Sequence, residues 1–298
     1  MALSSGKDKE SLTRKERYQL IRELSGEFHL YELVAFFNVP KSSYLNWKAK
    51  HIADKDEYLK TRIKEIFTYH KGRYGYRRIT AQLHSEGLIV NHKKVKRLMR
   101  ELNLYPVTVK RRKYSSYKGE VGRTAPNRLK RRFDVKEPDK VWATDVTEFV
   151  TEEGKLYLSP IKDMCTGEII SYGISPSPNM SMVMKMLDTA LLSHPDHKGL
   201  MIHSDQGFQY QHALFVNRLK ENGIVQSMSR KGNCLDNSKM ETFFSTLKRE
   251  MYYGHEKEFK TREQLSAAIK EYIEYYNNER IQIKLGYLSP LLFREKIA

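Results

Sequence analysis

The chain of 298 residues has only two cysteines, Cys165 and Cys234. With no Cys-x-x-Cys pair, thiol-ligated zinc and dithiol redox chemistry lack their residues, and a disulfide is not expected in a reducing compartment. No apolar run approaches the roughly 20 residues of a membrane helix. The opening residues Met1-Ala2-Leu3-Ser4-Ser5-Gly6-Lys7 carry no signal-peptide core. These absences predict a cytoplasmic protein with no membrane partner. A hydrophobic share of 40% excludes a disordered chain, and the length predicts two or three domains.

Acidic residues are scarce in one half only. Residues 1–135 hold 32 Lys and Arg against 14 Asp and Glu, whereas residues 136–298 hold 21 against 22. Within residues 88–132 there are 15 basic side chains and two acids, Glu101 and Glu120. Cations at this density repel one another unless a polyanion neutralises them and releases its counterions. Nucleic acid is the partner that this distribution predicts.

Hydrophobic spacing predicts helices over residues 11–24, 30–37 and 42–50, with the turn Asn38-Val39-Pro40 between the last two. This order is compatible with a helix-turn-helix and equally with any small helical bundle. Residues 56–70 form another helix. Tyr74-Gly75-Tyr76-Arg77-Arg78 then opens a helix that ends near Gly87, and Asn91 caps a further one to Leu102. Val95, Leu98, Met99 and Leu102 make the apolar face of that last helix. Lys93, Lys94, Lys96, Arg97 and Arg100 make a uniformly basic opposite face that suits DNA phosphates. Lys110, Arg111, Arg112 and Lys113 begin a basic linker that Lys130-Arg131-Arg132 closes, expected to be extended and to track a DNA backbone. The domain reading is residues 1–52 (N-terminal helical), 53–104 (helix-turn-helix-like), 105–138 (basic linker) and 139–298 (catalytic).

Beyond Pro138 the pattern changes. Strands are expected at 141–150, 155–163 and 168–174, with Gly154 and Thr166-Gly167 marking antiparallel turns. A helix at 181–192, a strand at 200–203, a helix at 210–222, a strand at 224–228 and a helix bearing Glu241 follow. This order is that of an α/β ribonuclease-H-like domain, a mixed five-stranded sheet with flanking helices, here preceded by an all-α helix-turn-helix region. In such a sheet the first and fourth strands are neighbours, which brings Asp145 to Asp205. Singly, Asp145, Asp205 and Glu241 read equally well as a strand-end, a cap and a surface charge. Jointly, three acids on two strand ends and a helix suit a two-metal phosphoryl-transfer site, because carboxylates are hard ligands for Mg²⁺ or Mn²⁺.

The flanking segments are Trp142-Ala143-Thr144-Asp145, His203-Ser204-Asp205-Gln206-Gly207, and Asp236-Asn237 through Glu241-Thr242-Phe243-Phe244, with 35 residues between Asp205 and Glu241. On these the chain resembles the DDE transposases of the retroviral-integrase type, most closely the second-frame (OrfB) proteins of bacterial copy-out, paste-in insertion sequences. The His-His-Cys-Cys zinc domain of retroviral integrases is absent.

The resemblance implies that Asp145, Asp205 and Glu241 are the catalytic metal ligands, with two Mg²⁺ or Mn²⁺ ions. It implies Lys248, seven residues beyond Glu241, as a DNA contact. Arg230 and Lys231 lie in an expected mobile active-site loop and are expected to contact DNA. His203, Gln206 and Asn237 are polar supports of the acids, although a strand histidine with ordinary partners reads equally well for His203. The residues 275–280, Tyr-Tyr-Asn-Asn-Glu-Arg, are expected to pack on the sheet and to offer Arg280 to DNA. The implied substrates are terminal inverted repeats and target DNA, cut by water and then joined by the released 3′-hydroxyl. A homo-oligomer on DNA and a frameshift fusion to an upstream first-frame helix-turn-helix protein are implied too. A non-catalytic DNA-binding regulator and a general nuclease of the same fold are the alternatives.

Overall fold

The computed structural model describes residues 12–51, 55–107, 124–230 and 234–298. The chain divides into two compact units, residues 1–65 and 66–298. In the first, α1 (Arg14–Leu24), α2 (Leu30–Phe36) and α3 (Lys41–His51) enclose Ile21, Phe37 and Tyr44. Thr13 and Glu16 form a reciprocal capping box that fixes where α1 begins. Asn38, in the left-handed region at φ 49°, turns the chain from α2 toward Pro40 and α3.

α4 (Glu57–Tyr69) leads to the second unit, where α5 (Tyr76–Ser85) packs on α6 (His92–Glu101). Ile79 and Leu83 of α5 and Val95 and Leu98 of α6 are fully buried, and Asn91 caps α6 through the Lys93 N–H at 2.8 Å. This helix pair shares the compact unit with the sheet.

The sheet comprises β1 (Val141–Thr144), β2 (Thr147–Thr151), β3 (Gly154–Asp163), β4 (Ile169–Ser175), β5 (Met201–Ser204) and β6 (Val225–Met228). β3 pairs antiparallel with β1, β2 and β4, and β1, β5 and β6 run parallel in that order. The five expected strands are therefore present, the first of them broken in two. Thr144 pairs with Ile161 and Thr147 with Leu158, three steps on each strand, so the register is continuous across the break. That register sets Pro160 across from Asp145, and a proline has no N–H to give a ladder.

α7 (Met180–Ser193), α8 (Phe208–Gln211) and α9 (Ala213–Glu221) supply the crossovers that parallel strands require. Residues 210–222, expected as one helix, are interrupted at His212, which caps α9 through the Leu214 N–H at 3.2 Å. α10 (Ser238–Leu247) runs into a π turn, Lys248–Tyr252, where the Tyr253 N–H reaches the Lys248 carbonyl at 2.7 Å. α11 (Arg262–Asn278) and α12 (Pro290–Ile297) follow.

Alternation along the strands builds two cores. Ala143, Phe149 and Leu158 face Met240, Phe243 and Leu247 of α10 together with Ile269 of α11. Trp142, Ile161 and Ile202 face α7 and α9 through Met186, Leu187 and Phe215. Residues 124–135, assigned to the linker from sequence, pack on the sheet instead. The Ser227 hydroxyl of β6 accepts from the Arg128 and Leu129 N–H groups at 3.0 and 3.3 Å, and Leu129 is buried. Cys165 is free, and among the described residues no helix is long and apolar enough to cross a membrane.

Candidate active site

Asp145 follows the last residue of β1 and Asp205 follows the last residue of β5. Val141 pairs with Met201 and Ala143 with His203, so the parallel register carries Asp145 to Asp205. Glu241 lies in the first turn of α10, which packs on β1. The Asn237 side chain fixes that approach by donating to the Thr144 carbonyl at 3.3 Å. Its Oδ1 is buried with no hydrogen-bond partner.

Backbone groups orient both aspartates. The Val146 N–H donates to Asp145 Oδ1 at 2.7 Å and the Gly207 N–H to Asp205 Oδ1 at 2.8 Å. A Cβ on Gly207 would stand 3.0 Å from Asp205 Oδ1 and 3.1 Å from Gln209 Oε1, so a side chain there would press both aside by a few tenths of an ångström. Loss of water pushes the Asp145 carboxyl well above the usual range, and the charges of Asp205 and Glu241 push it further, against the Val146 hydrogen bond. Burial raises Asp205 as well, against the Gly207 hydrogen bond. Among the described residues, however, no three His, Cys, Asp or Glu side chains are grouped closely enough to hold a metal ion.

Gln206 donates to the Ser229 carbonyl at 3.0 Å, tying the turn after β5 to that after β6. His203 is fully buried. Its Nε2 faces the Asp236 carbonyl at 3.0 Å, and its Nδ1 faces the Ser227 hydroxyl at 2.9 Å. A carbonyl only accepts, so Nε2 carries the proton and Nδ1 accepts from Ser227. Burial lowers the imidazole pKa, which suits this neutral tautomer.

Lys248 opens the π turn. Its Nζ donates to the Glu148 carbonyl at 2.7 Å and sits 4.9 Å from the centre of the Phe149 ring. Loss of water lowers its pKa to about 8. Arg230 is turned to a carboxylate, donating Nε to Asp236 Oδ2 and Nη2 to Oδ1, each at 2.9 Å. Lys93, Lys94, Lys96, Arg97 and Arg100 are exposed along α6, with Arg97 paired to Glu101. Lys110, Arg111, Arg112, Lys113 and Lys231 lie outside the described residues. Arg280, expected at the DNA, is instead 5% exposed and bound to Glu250. A bidentate carboxylate satisfies a buried guanidinium as solvent would at the surface.

Two residues at this site were missed from sequence. Asp236, with a fully buried side chain, gathers Arg230, Arg131 (2.8 Å) and the Asn127 amide (2.9 Å), and these donors hold its pKa below the usual carboxylate range. It thereby joins the 124–131 segment, the turn after β6 and the approach to α10. The Tyr210 hydroxyl lies 3.3 Å from Thr144 Oγ1, and burial beside Asp145 and Asp205 keeps it protonated. The Asp236-Asn237 pair was visible as a motif, but nothing in it named the arginines. Tyr210 carried no signal.

Comparison with known proteins gives the same domain order. Residues 53–114 match the HTH-like domain family, and residues 135–234 and 241–297 match integrase core domain families. The putative transposase InsK of insertion sequence element IS150 from Escherichia coli (strain K12) is 48% identical over 279 residues, 93% of this chain and 98% of that protein. The transposase of insertion sequence element IS904 from Lactococcus lactis is 38% identical over 241 residues, 80% of this chain and 94% of its own. Among solved structures, the catalytic core domain of HTLV-2 integrase in complex with magnesium has a TM-score of 0.42 at 16% identity, over 53% of this chain and 97% of that one. The chain belongs to the insertion-sequence transposases, with an integrase core of ribonuclease-H-like fold behind a helix-turn-helix-like domain.

Proposed function

We propose that this transposase cuts DNA at the ends of an insertion sequence and joins the released 3′-hydroxyl to a second phosphodiester, with Asp145, Asp205 and Glu241 holding two Mg²⁺ or Mn²⁺ ions. One observation carries the reading. Two carboxylates on adjacent strand ends are both raised in pKa by loss of water, and Asp145 is raised further by the other two acids. Like charges held out of water favour a cation, and carboxylate oxygens favour a hard divalent one. The donors suit such ions in kind, although the three acids would have to draw closer to hold one, and the unpartnered Asn237 Oδ1 adds an oxygen where α10 meets β1. Bound there, the ions would neutralise charge on the phosphate and on the attacking and leaving oxygens.

The chain's own residues supply position and field. The Val146 and Gly207 N–H groups each hold one oxygen of an aspartate, so the carboxylates meet the substrate already aimed. In the first step a water oxygen bonds to phosphorus, loses its proton to solvent, and the 3′-oxygen of the element strand leaves as a hydroxyl. In the second, that hydroxyl loses its proton, attacks in line and displaces another 3′-oxygen, with no bond to protein. Lys248, held by the Glu148 carbonyl beside Phe149, would add a cation for the phosphates. Lys93, Lys94, Lys96, Arg97 and Arg100 grip the duplex backbone, which makes binding fall steeply with salt. Lys231 and the 110–113 run would add cations for the DNA backbone, and Arg230 would join them only on leaving Asp236. Uniting two ends calls for more than one copy on the DNA, and a fused first-frame helix-turn-helix protein is a further partner.

The test is purified protein with Mg²⁺ or Mn²⁺ on labelled duplex carrying the element's end. The reading expects a nick that exposes a 3′-hydroxyl, followed by a joined product. Binding without nicking or joining overturns it, and nicking indifferent to end sequence with no joining points to a general nuclease.

A further inference from the structure

Two motifs from distant parts of the chain meet in one buried cluster. Arg73-Tyr74-Gly75-Tyr76-Arg77-Arg78 leads into α5, and the residues 275–280 end α11. Between them lies Glu250, in the π turn that continues the Glu241 helix. Its carboxylate, 5% exposed, accepts from Arg280 Nε and Nη2 at 2.8 and 2.6 Å and from the Tyr272 hydroxyl at 2.8 Å. Arg78 stands 3.8 Å from the same carboxylate. Arg73 donates to the Glu250 carbonyl at 3.3 Å and lies over the Tyr275 ring at 4.5 Å. The Tyr74 hydroxyl donates to the Glu279 carbonyl and accepts from the Ile281 N–H, both at 3.0 Å.

A buried ion pair of this kind is a poor way to gain stability, because well-packed apolar side chains of the same volume hold as firmly. What charge and hydrogen bonds add is one allowed geometry. Here that geometry relates two particular elements. Arg73, Tyr74 and Arg78 belong to the start of the helix pair that presents the basic face of α6. Glu250 is nine residues past Glu241 on a continuous helical path that also carries Lys248. A displacement of α5 therefore pulls on the π turn, and through it on the helix that carries the third acid. Lys248, bonded to the Glu148 carbonyl, ties that same turn to β2 three residues beyond Asp145.

We infer that Glu250 is a positioning residue that sets the Glu241 helix against the α5–α6 pair, so that recognition of an element end and cleavage at it are coupled within one chain. This rests on the active-site reading above. The prediction separates coupling from folding. Glu250→Gln keeps the shape and removes the charge, and Tyr74→Phe removes two hydrogen bonds of the same cluster and no charge. Each variant is compared with wild type in three readouts: affinity for duplex bearing the end, Mn²⁺-dependent nicking of that duplex, and Mn²⁺-dependent nicking of a duplex without ends.

In both variants, end affinity and end-independent nicking should persist, while the preference for the end-bearing duplex falls by about tenfold, within the usual range of site-to-site coupling. Preference unchanged in Tyr74→Phe overturns the inference, whether or not Glu250→Gln folds. Equal loss of all three readouts in Tyr74→Phe also overturns it, because the cluster is then only structural. A wild type that binds the end and nicks neither duplex overturns the active-site reading itself, and this one with it.

Discussion

Replacing Lys248 by methionine should stabilise the DNA-free protein and impair it as an enzyme. Desolvation lowers the Lys248 pKa from 10.5 to about 8. A lysine with a native pKa below its unfolded value binds fewer protons folded than unfolded between those two values. Its charge therefore destabilises the fold fully below pH 8, and the penalty fades as pH rises toward the unfolded pKa. At about 1.4 kcal/mol per unit, the penalty is about 3 kcal/mol. Methionine keeps the apolar stem but loses the bond to the Glu148 carbonyl, about 1 kcal/mol, and the contact with Phe149, about 0.5 kcal/mol. The net gain is about 1–2 kcal/mol, or about 3–6 °C in melting temperature for a unit of this size. Thermal melts at pH 7 and pH 10 check it, with the gain shrinking or reversing at the higher pH. Nicking of end DNA should fall in the same variant. A lower melting temperature at pH 7, or full activity, refutes the reasoning.

The other expectations concern the acids and their supports. Asp145, whose native pKa is raised, binds more protons folded than unfolded, so its contribution to stability declines as pH rises above about 4 toward the raised value. Asp145→Asn should therefore melt above wild type without metal, by a margin that widens with pH, and Mn²⁺ should raise only the wild-type melting temperature. A constant margin, or an equal Mn²⁺ effect, contradicts this. Asp236→Asn weakens a fully buried carboxylate's hold on Arg131 and Arg230 and should cost about 2–4 kcal/mol in denaturant unfolding. Wild-type Asp236, with its lowered pKa, stabilises at neutral pH and loses that effect as pH falls below the unfolded value, so the gap between the two proteins should close in acid. Gly207→Ala should leave melting nearly unchanged but cut nicking by about tenfold or more, because its Cβ presses on Asp205; wild-type nicking would show that the Asp205 position does not matter.

Much of the architecture could be read from the chain because local signals agreed. Gly154 and Gly167, both at positive φ, turn the strands where sequence placed them, and Asn91 caps α6 as its side chain suggests. The break at Asp145 was not legible, since Pro160 comes to face it only through a register that folding creates. Charge was the least readable property. A basic side chain in a polar stretch looks the same whether it meets DNA or a buried carboxylate. Arg280 belongs to Glu250, and Arg230 and Arg131 share Asp236, partners that lie from 6 to 105 residues away. Lys248 was expected to face phosphate, and its carbonyl partner on β2 is visible only in three dimensions.

The most direct test of the account is Mn²⁺-dependent nicking and joining of labelled element ends by wild type and by Glu241→Gln, with end binding measured in parallel. The account predicts joined product from the wild type and none from the variant at equal binding. Equal activity in the two would contradict it, because Glu241 would then hold nothing that the reaction needs.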